Sequence, residues 1–492
     1  MGKKINKGRL VRFAILFFWL VMLVLLIQKN YLKPRVAPLG FATSKDTLEA
    51  HEDWLGIYLK GEKVGYSTTK TKRAGDFYQI SEDSLMFLNT LGTNQRIESR
   101  IKSVVNQDYS LRSFDFSLLS GPITFSLHGE VIGNALNLVM VSGKNTTRST
   151  LPLKDIPFLS NTLKPYILSR GLKEGKKFSL PFFDPATLSS RDISIEVLGK
   201  EKILFSGKEI ISYKLRESFA GIETLAFVTE DGEILKEEGP IGLTLLKETQ
   251  EQALSGEWMK KEKPDVSVTT AVPVNVPITN ARAVKFLKVR ITNLPLNEFD
   301  LTEGRQGLHS DILEVRKEEA GSWKTFSLPY SNSDLQHYLQ PTPLIQSTDE
   351  RIVKQAKSIV HDSQDAETSA RKLLQWVFSN VKKKPTLSIP NALEVLDLKV
   401  GDCNEHTALF TALSRSLGIP TRVCVGIVYL KDKFYYHAWP EIYLNSWIAI
   451  DPTFNQFPTD ATHIRLVIGD LSDQIKILSV VNKIKLEVLE YS

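Results

Sequence analysis

The stretch Gly401-Asp402-Cys403-Asn404-Glu405-His406 constrains this chain most, because it sets a thiol at the start of a helix. Asp402 can serve as N-cap, and Glu405, three residues on, can reach back to complete a capping box. The helix continues through residues 407–417, where Gly418 and Pro420 stop it. Cys403, Phe410, Leu413 and Leu417 share one stripe at helical spacing, so the thiol is expected to face inward. The free N–H groups and positive dipole end of a first turn favour a thiolate. Asp402 and Glu405 oppose that effect, so a nucleophile here needs a base.

His437 is the candidate base. Residues 434–444 and 447–453 read as two strands joined by a turn at Asn445-Ser446. Alternation puts His437, Trp439, Glu441 and Tyr443 on one face. The loop length decides whether Asp451 joins them. A two-residue loop pairs Leu444 with Trp447 and turns Asp451 to the opposite face. An odd loop, for example three residues with Asn445 left-handed, brings Asp451 to the face of His437.

The run Gly-Asp-Cys-Asn-Glu-His, then Arg415-Ser-Leu-Gly-Ile-Pro-Thr-Arg422, His437-Ala-Trp-Pro-Glu441, Trp447 and Asp451-Pro-Thr453 resembles the bacterial transglutaminase-like domain. That domain is a branch of the papain-like cysteine enzymes, and the resemblance covers about residues 345–470. It implies Cys403 as nucleophile, His437 as general base and Asp451 as the group orienting the imidazole. Trp439 and Asp402 are substrate-cleft candidates. Pro440 departs from the pattern, removes one ladder donor and points to a strand edge or bulge. Because the fold hosts cross-linkers, peptidases, deamidases and inactive relatives, the resemblance leaves the acyl chemistry open.

At the other end, basic residues 3–12 precede fifteen unbroken apolar residues, 13–27. As a helix this run spans roughly 22 Å, and flanking Arg12 and Lys29 can snorkel to extend it. No small-x-small cleavage site follows closely, so an uncleaved anchor is expected. The excess of positive charge before the run would keep the N-terminus in the cytoplasm. The expected placement is therefore single-pass in the inner membrane, with most of the chain periplasmic.

The remaining sequence divides into a stub and anchor at 1–32, a linker at 33–47 and a β-rich domain at 48–255. A small β module at 265–335 and a transglutaminase-like domain at 345–492 follow. In the first β-rich part, hairpins such as 54–66 and 227–235, with alternating Phe114, Phe116 and Leu118, suggest a sandwich or curved half-barrel. Helices at about 349–362, 365–381 and 392–396, the cysteine helix and then antiparallel strands give an α+β, papain-like order.

Several function classes are excluded. The net charge of +6 owes much to the N-terminal cluster, and the remaining charges are interspersed, so no nucleic-acid stripe is present. Two cysteines make no disulfide framework. The cysteine helix and returning strand hold Cys403 and Cys424 too far apart to pair, which leaves Cys424 a buried strand residue. There is no His-Glu-x-x-His, no Cys-x-x-Cys, no Gly-x-Ser-x-Gly and no phosphate-cradling loop.

The expected function is that of an envelope cysteine hydrolase or acyltransferase acting on peptide or side-chain amides through a thioester. It needs no cofactor and no metal, and its partners would be a protein or peptide substrate, cell-envelope components and the membrane. The alternative is a catalytically silent transglutaminase-like scaffold that binds peptide or glycan. His463, after Asp460-Ala-Thr, has no assigned role at this stage.

Overall fold

Hairpins built on a left-handed residue followed by glycine set the architecture of the N-terminal half. At Lys60-Gly61 (φ 50° and 86°) and Leu91-Gly92 (φ 49° and 78°) both turn residues have positive φ. That conformation matches the twist of the flanking strands and closes two-residue loops, with Leu59 opposite Glu62 and Thr90 opposite Thr93. The computed structural model describes residues 51–321 and 323–492.

Residues 51–247 form one fourteen-stranded antiparallel sheet. Its first arm meanders outward from His51–Leu59 to Asn145–Pro152, and its second runs from Leu243–Lys247 back to Lys177–Asp184. The arms join where Leu55 faces Lys247. Strict alternation, as in Ile123–Ile132, gives each strand one apolar face. Those faces share a core with the helix Ser160–Ser169: Leu163 and Ile167 lie among Phe114, Leu127 and Leu138 from one arm and Phe183 and Ile195 from the other.

In the C-terminal half, helices Glu350–Val360 and Ala366–Asn380 begin at N-caps Asp349 and Asp365, whose carboxylates accept first-turn N–H groups. They bury Ile352, Ala356, Leu373 and Val377 against Leu409, Phe410 and Leu413 of the cysteine helix, Cys403–Ser416. Strands Thr421–Leu430, Lys433–Tyr443, Trp447–Ala449 and Ile464–Ile468 build an antiparallel sheet beside it, extended by Val272–Pro273. In this region helices precede antiparallel strands, an α+β order.

The structure changes two expectations. Strands Phe286–Thr292, Gln306–His309 and Ile312–Arg316 do not close a module by themselves; Phe286–Thr292 pairs with the C-terminal strand Lys485–Tyr491. Leu287 and Val289 share a core with Val425, Ile427 and Ile464, because three short strands have too little apolar face to be covered alone. The second change concerns the membrane. Among the described residues no helix is long and apolar enough to cross one, which overturns the expected inner-membrane placement. The apolar run 13–27 on which that placement was built lies outside the described residues.

Candidate active site

The cysteine helix starts as its local sequence dictates. The Asp402 carboxylate accepts the Asn404 N–H at 3.4 Å, while Glu405 Oε2 accepts the Asp402 N–H at 2.9 Å. Glu405 is further held by Ser388 Oγ at 2.6 Å and Thr386 Oγ1 at 3.3 Å. Gly401 admits Glu405 because a Cβ there would lie 2.2 Å from the Glu405 Cβ. Fully buried His406 sets its ring nitrogens at the carbonyls of Asp402 (2.6 Å) and Val381 (3.2 Å), so it ties down the helix start.

Cys403 is half-buried, and Cys424 is fully buried; both are free thiols. The N–H of Ala438, one residue beyond His437, faces Cys403 and favours the charged form of its thiol. That N–H is available because the outer edge of Lys433–Tyr443 has strand partners only near its ends, at Phe434 and at residues 441–443. The N–H of residue 440 would point to the same edge, so Pro440 costs no bond to Thr421–Leu430. The register with that strand runs through it unshifted. The Pro440 carbonyl accepts the Ile450 N–H on the outer side.

The hairpin that carries the acid has an odd loop. Tyr443 faces Trp447, and the loop is Leu444-Asn445-Ser446, with Asn445 at φ 58°. The pairing of Glu441 with Ala449, continued two residues, brings Asp451 to the face of His437. His437 Nε2 donates to Asp451 Oδ2 at 2.8 Å. Among the described residues nothing bonds His437 Nδ1, the other ring nitrogen. The ring is sandwiched by Phe454 (centroids 4.9 Å, 12° between planes) and Trp439 (6.1 Å, 23°).

Trp439 is 0 % exposed, packed with Cys424 and Ala449, so it backs the imidazole and walls no open cleft. Asp402 stands beside the thiol but is taken up by the cap. Glu441, further along the same face, is bracketed by Arg422 (2.6 Å) and Arg465 (3.0 Å).

Asp451 is the most heavily bonded group of the site. Its Oδ1 accepts the N–H groups of Thr453 (2.6 Å) and Phe454 (3.0 Å), and its Oδ2 takes His463 Nε2 at 3.1 Å as well as His437. His463 turns its other nitrogen to Asp460 Oδ1 at 3.5 Å, and Arg282 pairs with Asp460 Oδ2 at 3.0 Å. Sequence reasoning missed Phe454, Asp460 and Arg282 as parts of the site and left His463 unassigned. No local pattern links Arg282 to Asp460; His463 alone carried a signal, as a histidine close to Asp451 and Asp460.

The electrostatics follow from these contacts. Burial opposes a charge on Asp451, but His437 and His463 outweigh it and hold the carboxyl well below its usual range. Asp460 is likewise held low by His463 and Arg282 against burial. Burial opposes a charged His463, yet Asp460 and Asp451 push its pKa up. Burial and then the Asp402 charge push the Cys403 thiol up, with the Ala438 N–H opposing. Asp402 itself is pushed up to about 8 by burial and by Glu405. The resting thiol is thus protonated at neutral pH.

His437, Asp451 and His463 also bring three potential ligand atoms within 4.8 Å of one another. Their contacts of 2.8 and 3.1 Å are hydrogen-bond distances between partners that already satisfy each other.

Residues 353–452 match the family model of the transglutaminase-like superfamily. No curated protein matches the chain by sequence. Among solved structures, a candidate cysteine protease from Cytophaga hutchinsonii is 16% identical with a TM-score of 0.29, over 42% of this chain and 89% of that one. A DUF1089 family protein from Pseudomonas aeruginosa is 14% identical with a TM-score of 0.22, over 40% and 95%. A candidate protease from Parabacteroides distasonis is 9% identical with a TM-score of 0.20, over 70% and 69%. The segment that carries Cys403, His437 and Asp451 is a transglutaminase-like domain.

Proposed function

We propose that this protein is a cysteine enzyme that transfers acyl groups from peptide or side-chain amides, to water or to an amine, through a thioester on Cys403. The observation that supports it most is the His437–Asp451 contact of 2.8 Å, on the strand whose next N–H faces Cys403. Asp451 fixes the ring with Nε2–H toward itself, so Nδ1 is the basic nitrogen. His437 takes the thiol proton as sulfur attacks the carbonyl carbon. The C–N bond then breaks, and His437 gives the proton to the departing amine or ammonia. Water or an acceptor amine, deprotonated by the same ring, attacks the thioester and releases Cys403. The Cys403 N–H, in the first turn of its helix, is one donor for the oxyanion.

The test is a burst experiment with p-nitrophenyl acetate on the full chain, read by absorbance and intact mass. A stoichiometric burst with one acetyl group on Cys403 is expected, absent in Cys403→Ala and much slowed in His437→Ala. Acceleration of turnover by added glycinamide identifies transfer; indifference to it identifies hydrolysis. A chain that never acquires the acetyl group is the silent scaffold.

A further inference from the structure

An apolar cavity of about 190 Å³ lies between the large sheet and the transglutaminase-like domain, with Asn404 and Ala438, the residues that follow Cys403 and His437, in its lining. One wall comes from strands of the first arm, through Leu127, Leu138, Met140 and Leu151. The opposite wall is the cysteine helix, through Asn404 and Thr407, together with Ala438. Asn404 directly follows the candidate nucleophile. Alternation along Lys433–Tyr443 points Ala438 away from the face of His437. Ala438 thus turns its side chain to the cavity, on the strand face opposite His437, while its N–H faces Cys403.

Two features mark the cavity as built for a ligand. Its lining is mostly apolar, yet it includes Thr407, a residue 1 % exposed whose hydroxyl has no hydrogen-bond partner. A buried hydroxyl left unpaired is costly, and a bound carbonyl or amide would satisfy it. The volume also fits one group: an apolar cavity of about 150 Å³ accepts benzene. A space of this size holds a single phenylalanine- or leucine-sized side chain.

We propose that this cavity is the acyl-donor pocket of the site, taking one apolar side chain of a peptide whose carbonyl lies at Cys403. The large sheet thus supplies half of the substrate-binding surface, and acyl donors with a bulky apolar residue are preferred over small or charged ones. This inference rests on the reading of Cys403 as nucleophile and deepens it.

The test compares chloroacetamide with N-benzylchloroacetamide as labels of Cys403 in the full chain at pH 9. Second-order rates come from intact mass, each divided by the reagent's rate with free glutathione. Burial of the benzyl group should favour the larger reagent by about tenfold or more. Met140→Trp and Leu151→Trp, which fill the cavity from two strands, should bring that ratio toward one. A ratio near one in the parent, or one that both variants leave intact, overturns the proposal. Saturation-transfer NMR with N-benzylacetamide separates the two readings. Binding that is lost in the filled variants, without labelling of Cys403, sinks the nucleophile and keeps the pocket. Absence of both binding and size preference, with normal labelling, sinks the pocket alone.

Discussion

His463 Nε2 meets Asp451 Oδ2 at 3.1 Å, on the same oxygen that His437 holds at 2.8 Å. The Asp451 carboxylate is therefore shared between an imidazole with one free nitrogen and a fully buried one. Asp460 and Arg282 complete a line of alternating charge that keeps Asp451 ionised and fixed in direction.

Replacing His463 by Gln leaves Asp451 and Asp460 with one cation fewer in a buried site. A loss of about 3 kcal/mol or more in urea unfolding is expected. His463 has a raised pKa, so the stability it adds is whole below about pH 6.5 and fades as pH rises through its folded value. Asp451 and Asp460 are held low, so theirs is present above about pH 4 and lost as pH falls through their folded values. The gap between parent and variant should peak between about pH 4 and 6.5. A gap that stays flat with pH would refute the charged line.

Cys403 is pushed up by burial and by Asp402, so its iodoacetamide labelling should rise only above the ordinary thiol range near pH 8.5. Asp402, itself near 8, is ionised when the thiol titrates. Asp402→Asn should therefore shift the labelling midpoint to lower pH. Cys424 is fully buried and does not contribute to the signal. An unchanged or raised midpoint in the variant would show that Asp402 does not act on the sulfur.

Asn445 takes the left-handed position of the three-residue loop that sets Asp451 on the face of His437. Asn445→Val should cost about 1–2 kcal/mol and should slow acetylation of Cys403 if the register slips. Asn445→Gly keeps the φ and should cost less, although it gives up the bond to the Lys324 carbonyl at 2.8 Å. Equal losses in both variants, by thermal unfolding, would show that backbone conformation is not what Asn445 provides.

Gly426 faces His437 across the ladder, and a Cβ there would lie 1.9 Å from the Ile464 carbonyl oxygen. Gly426→Ala must push away the strand Ile464–Ile468, which follows His463 directly. A loss of about 1–3 kcal/mol is expected. If denaturant midpoints match the parent, the close approach of these strands is not as tight as the backbone places it.

Much of the site is local and was legible without coordinates. Asp402 and Glu405 form a capping box within four residues, so the start of the Cys403 helix follows from short-range hydrogen bonding. Alternation put His437 and Trp439 on one face, and the need for an odd loop followed from strand parity alone. The length of that loop did not follow, because Asn445-Ser446 suits two-residue and three-residue turns alike. The burial of Trp439 depends on which strand covers it, information that its own neighbours in sequence do not hold.

Where a thiol, an imidazole and a carboxylate stand on their own elements is a matter of local sequence. Capping, helical periodicity and strand alternation act over a few residues and are written there. That Asp451 serves two histidines, that Arg282 reaches Asp460 across 178 positions, and that the large sheet walls the cavity lined by Asn404 came from long-range packing alone. Those contacts join segments far apart in the chain, and their formation depends on the packing of whole sheets rather than on any local preference.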